Sequence, residues 1–154
     1  MKFSVKTQGF YSNDNDYGEN LPADAINITE KQYRDFYSGL NENRHIYLSD
    51  EGLKLSDIKP DNYHSWDNEK NRWVLSDEAA TQQKKDAITS ANNKKESLMA
   101  AAAVEIAPLQ DAVDLGMASD EEKSLLNKWK VYRVLLNRID TALAPDINWP
   151  EKPE

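Results

Sequence analysis

Between Ser119 and Leu143 the chain carries a helix that cannot be stable alone. Ser119 supplies an N-cap oxygen, and Glu122, three residues on, completes a capping box. Leu125, Trp129, Tyr132, Leu136, Ile139 and Leu143 then recur at spacings of four and three, one apolar seam down one side of a helix. Asp120, Glu121 and Glu122 fall in the first turn and Lys128, Lys130, Arg133 and Arg138 further along, the order the helix dipole favours. An exposed apolar seam demands a second helix. The preceding segment offers one: Met99, Ala103, Ile106 and Val113 share a face, with Leu98, Ala102 and Leu109 adjoining. That helix is expected to run to about Leu115, where Gly116 stops it. Pro108 lies inside and predicts a kink or break near Val104 to Pro108. The two helices are expected to form an antiparallel hairpin. Trp149, just before Pro150, should fold back over it, and Arg133 and Arg138 should pair with Asp111, Asp114 or Asp140.

Upstream of Ser76 the composition changes. Phe3 to Lys6 alternates and reads as a short strand extending toward Tyr11. A polar loop, SNDNDYGEN, follows. Thr29 with Gln32 is a second capping box, opening a short helix over Glu30 to Leu40 whose Tyr33, Phe36, Tyr37 and Leu40 should cover a sheet. The runs 45–48 and 53–55 flank Ser49-Asp50-Glu51-Gly52 as a hairpin, and 63–66 and 72–75 flank DNEKN as a second. The reading is α+β. A small β-rich module with one short helix spans residues 1–76, and a helical region with a kinked first helix spans 77–154. The stretch 77–97 has helix propensity but few large apolar groups, so it bridges solvent, pairs thinly through alanines or frays.

Charge and composition narrow the function. The net charge is −8, and the two halves share it evenly. No basic stripe of the kind a phosphate backbone requires is present, so nucleic acid is not an expected partner. There is no cysteine, which excludes thiol catalysis, disulfides and thiolate metal sites. No apolar run reaches the roughly 18 residues of a membrane-spanning helix, and the first residues lack a signal-peptide core. A soluble protein of a bacterial host cytoplasm is expected.

Sites for chemistry are sparse. His45 and His64 have neither a nucleophile nor ligand spacing beside them. Asp14, Asp16 and Glu19 lack the alternation and distal Glu of a calcium loop. No Gly-rich phosphate loop and no nucleophile elbow occurs. No catalytic residue, cofactor or metal is therefore assigned. The aromatics are the stronger candidates. Trp66 and Trp73 bracket a turn with Tyr63 close by, and Tyr11 and Tyr17 flank the acidic loop. Two readings stand: indoles that cap their own small core, or a partly exposed surface that docks an oligomeric partner, since Trp and Tyr carry much interface energy.

The runs LQDAVDLGMASDEEK, WKVYRVLLNRID and APDINWPEKP resemble, in that order, the C-terminal region of phage tail fibre assembly proteins. YHSWDNEKNRWV resembles the aromatic hairpin of the same family more loosely. The resemblance implies a non-enzymatic chaperone for a trimeric tail fibre, bound at the fibre's C-terminal, receptor-proximal region and promoting its folding, trimerisation and assembly. It implies alternatively a structural subunit retained on the fibre tip that contributes to receptor binding. A generic dimeric helical adaptor, with a homodimer formed through the helices, is the reading that owes nothing to the resemblance. The expected fibre contacts are Tyr11, Tyr17, Tyr63, Trp66 and Trp73.

Overall fold

Short alternating segments build one unit, Met1–Ala79, and amphipathic helices build another, Ala80–Glu154, in a computed structural model that describes residues 1–154. The architecture is α+β, as the sequence predicts.

In the first unit β1 (Lys2–Ser4), β2 (Gly9–Tyr11) and β3 (Ile26–Asn27) form an antiparallel sheet in the order β2-β1-β3. The single strand expected from Phe3 toward Tyr11 is thus a hairpin. The chain reverses because Gln8 takes a positive φ of 50° and the turn is tied down by side chains. Ser4 Oγ accepts from the Thr7 N–H and donates to Asp24, whose other oxygen accepts from the Lys6 N–H at 2.8 Å. Helix α1 (Glu30–Asn41) opens on both halves of the Thr29–Gln32 capping box. Its Phe36 is buried with Phe3 and Ile46, and Tyr33 sits edge-on to Phe10 at 4.9 Å. Tyr37 covers less than expected and remains 55% exposed.

Strands β4 (Arg44–Ser49) and β5 (Gly52–Ile58) form the first expected hairpin, with Ser49 opposite Gly52. Gly52 has φ of 108°, a conformation that glycine alone adopts without strain. Gln8 reaches the edge of β4: its Oε1 accepts from Ile46 N–H at 2.9 Å and its Nε2 donates to Ile46 C=O at 2.8 Å. One side chain thus satisfies the backbone groups that a missing strand would otherwise take. Strands β6 (Ser65–Asp67) and β7 (Arg72–Val74) form the second expected hairpin.

In the helical part, α2 (Asp77–Asp114) and α3 (Asp120–Asn137) run antiparallel around a core of Ala102, Ile106, Leu126, Trp129, Tyr132 and Leu136. The turn between them is a Schellman motif: Gly116 (φ 70°) donates to Val113 C=O and Met117 to Ala112 C=O. Ser119 and Glu122 form the predicted capping box.

Four expectations need correction here. Of the kink or break expected near Pro108, the break is absent: α2 is continuous through it. Pro108 and Val104 both lie on the exposed side, so the carbonyl left without its donor faces water. On α2 the buried residue is Ala102, not Ala103, and on α3 Leu126 is buried, while Leu125 lies at the margin. The seam stops early: α3 ends at Asn137, and Leu143 sits in a 3₁₀ turn, 62% exposed. Arg133 and Arg138 make no ion pair; Asp114 accepts from Gln110 instead, and Asp140 caps the 3₁₀ turn.

The polar start of α2 is an ordered helix. It pairs thinly, burying Ala91 and sending Lys95 Nζ to the carbonyls of Asn137 and Ile139 at 3.0 and 2.8 Å. Trp149 folds back as predicted and packs on the helical core with Lys94 Nζ 4.5 Å from its ring centroid.

Candidate partner-binding site

Alternation along β4 decides which rings meet. Ile46 points into the core against Phe3 and Phe36, so His45 and Tyr47 must point the other way. There they meet the β6–β7 hairpin, where Trp66 and Trp73 are a direct cross-strand pair. The His45 ring stacks on Trp66 at 4.5 Å and 25°. Trp73 stands edge-on to Trp66 at 5.3 Å, and Tyr47 lies 5.4 Å from Trp66. Trp73 Nε1 donates to Asp57 C=O at 2.9 Å, tying this hairpin to the end of β5. Lys59 Nζ lies 5.8 Å from the Trp73 ring.

Two polar atoms within the cluster have no partner: Trp66 Nε1 and His45 Nε2 are both buried and unbonded. Burial holds the His45 imidazole below its ordinary pKa, so the neutral ring is what stacks on the indole. All four rings are only partly buried, and an open notch of about 360 Å³ lies against them, walled by Tyr47, Trp66, Trp73, Asp57, Asn71 and Arg72. The turns on either side are held by side-chain hydrogen bonds. Asp61 accepts from the backbone of Tyr63 and His64 and from His64 Nδ1 at 2.7 Å; the ring bond, first, lowers its pKa. Asp67 accepts from the Lys70 and Glu69 N–H groups and pairs with the Lys70 ammonium, and the Lys70 N–H is the main cause of its lowered pKa.

The five expected contact residues therefore separate. Trp66 and Trp73 belong to one aromatic cluster. Tyr63 precedes β6, held through its N–H by Asp61. Tyr11 and Tyr17 form their own edge-on pair at 5.3 Å, with the Tyr17 hydroxyl accepting from Ser12 N–H and the Tyr11 hydroxyl 3.0 Å from Thr7 Oγ1. Tyr17, but not Tyr11, lines a separate cleft of about 330 Å³ with Lys2, Asn15 and Asp16. No ring contact joins the two groups. His45 and Tyr47 are the cluster members that the sequence reading did not assign. Period-two alternation about the apolar Ile46 was the signal that could have found them.

These surfaces offer indole and phenol faces and a few polar atoms, and no grouping of acids and histidines there could hold a metal ion. The family model described as "Caudovirales tail fibre assembly protein, lambda gpK" matches residues 21–154, which includes this cluster and the whole helical hairpin. This chain belongs to the tail fibre assembly protein family. Its relatives agree. A "Probable tail fiber assembly protein" of Shigella phage SfV is 36% identical over 152 residues, 99% of this chain and 77% of that one. A "Tail fiber assembly protein" of Escherichia phage lambda is 52% identical over 91 residues, 59% of this chain and 44% of the relative. A "Probable tail fiber assembly protein" of Acyrthosiphon pisum secondary endosymbiont phage 1 is 61% identical over 67 residues, 44% of this chain and 43% of its own. The alignments thus span less than half the length of the lambda and endosymbiont-phage relatives. No solved structure matches the chain. No helix is long and apolar enough to cross a membrane.

Proposed function

We propose that this protein acts by binding rather than by chemistry: it holds the C-terminal, receptor-proximal region of a trimeric tail fibre while that region folds and trimerises in the host cytoplasm. The family assignment over residues 21–154 carries the reading. Physical need supports it. Strands that must pair across three chains expose edges and apolar surface before closure, and a partner covering them suppresses aggregation. The cluster of Tyr47, Trp66 and Trp73, with its notch, is the proposed fibre contact, since half-buried rings beside turns held by side-chain hydrogen bonds give up little conformational freedom on binding. Residues 1–76 are the proposed fibre-binding module, with Tyr63, Tyr11 and Tyr17 at its margins.

Hydrogen exchange on the full chain, with and without a purified fibre C-terminal fragment, tests the location. Protection is expected across β4, β6 and β7. Protection confined to α2 and α3 would contradict it. Retention on the finished fibre tip, with a role in receptor binding, is a second reading; mass spectrometry of purified particles supports it only if the protein is found there in stoichiometric amount.

A further inference from the structure

One edge of the β4–β5 hairpin is closed and the other is open. Gln8 bonds both the N–H and the C=O of Ile46, so these groups point away from β5. In an antiparallel pair, a residue whose backbone groups point outward lies opposite one whose groups point outward on the far side. Leu55 is that residue, and Leu53, opposite Leu48, repeats the arrangement two positions away. The outer edge of β5 therefore presents the N–H and C=O of Leu53 and of Leu55, about 7 Å apart at the rise of a strand. None of these four groups makes a hydrogen bond within the chain, and β5 has no neighbouring strand on that side. The next outward carbonyl, that of Asp57, is taken by Trp73 Nε1 at 2.9 Å, which ends the open stretch.

Donors and acceptors that alternate at strand spacing are matched by another extended backbone. The Leu53 and Leu55 side chains turn into the core of the first unit, where Leu55 packs against Gly39 of α1, so the edge is held in place. The single charge from Gly52 to Ser56, Lys54, is engaged by Glu51. At its far end β5 runs into the notch: Leu55, Asp57 and Ile58 line it together with Trp66 and Trp73, and Ile58 is 53% exposed. A strand laid on this edge is thus continuous with the aromatic contact. Its side chains fall alternately on the two faces of the hairpin, one of them the face that carries Tyr47.

We propose that β5 receives an extended segment of the tail fibre as an added strand, paired to Leu53 and Leu55, with an apolar or aromatic side chain of that segment seated in the notch against Trp73. This mode rests on the fibre-binding reading and divides the work of binding: backbone pairing supplies affinity, and the notch selects the side chain. A fibre chain that has not yet closed with its two partners offers unpaired strands, and pairing one of them with β5 satisfies its backbone until closure. A second copy of this chain, which carries the same open edge, is the competing occupant.

Hydrogen exchange of the full chain resolved to single amides, with binding of a purified fibre C-terminal fragment measured in parallel by calorimetry, tests the proposal. In the free chain the Leu53 and Leu55 amides should exchange quickly, beside the slow Lys54 amide that faces β4. The fragment should slow both by about tenfold or more. Leu55→leucic acid, the α-hydroxy analogue that keeps the side chain and removes only the N–H, should weaken binding about three- to tenfold, the contribution of one backbone hydrogen bond. The same replacement at Leu48, whose N–H points to the Gln8 side, should leave binding unchanged. Binding with the Leu53 and Leu55 amides still exchanging quickly, or an equal loss in both variants, would overturn the strand pairing and leave fibre binding standing. Absence of binding would overturn both. Slowing that rises with protein concentration and needs no fragment would give the edge to a second copy and overturn the fibre strand.

Discussion

At the scale of single residues, His45 and Gly39 carry consequences that their neighbours dictate. The His45 ring is stacked on Trp66 with Nε2 buried and unbonded, and burial lowers its pKa in the fold. The unfolded chain takes up that proton near the ordinary value of 6.5, above the folded value. The His45 contribution is therefore complete above about pH 6.5 and is lost as pH falls through that value toward the folded pKa. Urea melts followed by tryptophan fluorescence should show the first unit weakening over this range, and His45→Phe should flatten the dependence. Gly39 is buried in α1, where an added Cβ would collide with both methyls of Leu55 on β5. Gly39→Ala should destabilise the first unit by about 1–3 kcal/mol despite its better helix propensity, through overpacking. A gain in stability in thermal melts would contradict that packing.

At the scale of elements, what could be read from the sequence was whatever local chemistry fixes. Both capping boxes, the Gly52 hairpin, the Trp66–Trp73 hairpin and the Gly116 stop each depend on residues within a few positions of one another. What was missed depends on distant partners. The turn after β1 exists because Asp24, twenty residues away, binds Ser4 and Lys6, and because Gln8 binds the edge of β4. The end of α3 is tied to α2 by Lys95, whose ammonium donates to the carbonyl of Asn137, the last helical residue, and to that of Ile139 beyond it. Periodicity alone carried the seam on to Leu143 because Ile139 and Leu143 keep the spacing after the helix has stopped. Lys95→Met should lower the stability of the helical part by about 1 kcal/mol, since the ammonium is partly exposed, and Ser119→Ala by a similar amount. Chemical denaturation followed by circular dichroism at 222 nm measures both, and no change in either variant would remove these contacts from the account. Lys95, on α2, binds the C-terminal end of α3 and Ser119 caps its N-terminus, so their effects should add.

At the scale of the whole molecule, the family match covers both the helical hairpin, where the resemblance in residue order is strongest, and the surface proposed to bind the fibre. The helical hairpin is specified by its caps, its seam and the return of Trp149, and all of these serve its own stability. The aromatic cluster was legible only in part. Trp66 and Trp73 announce themselves around a turn, whereas their contact with His45 and Tyr47 needs the alternation of β4 and the bond from Trp73 to Asp57. Tyr11 and Tyr17 belong to a separate pair because the turn at Gln8 makes β2 a strand of its own. The central claim is that the chain promotes the folding and trimerisation of a tail fibre by binding it. Co-expressing the C-terminal region of the cognate fibre with and without this protein tests it directly, with soluble fibre and its trimer fraction as the readouts. The account predicts soluble trimer only in the presence of this chain. Fibre that is equally soluble and equally trimeric in its absence would contradict it.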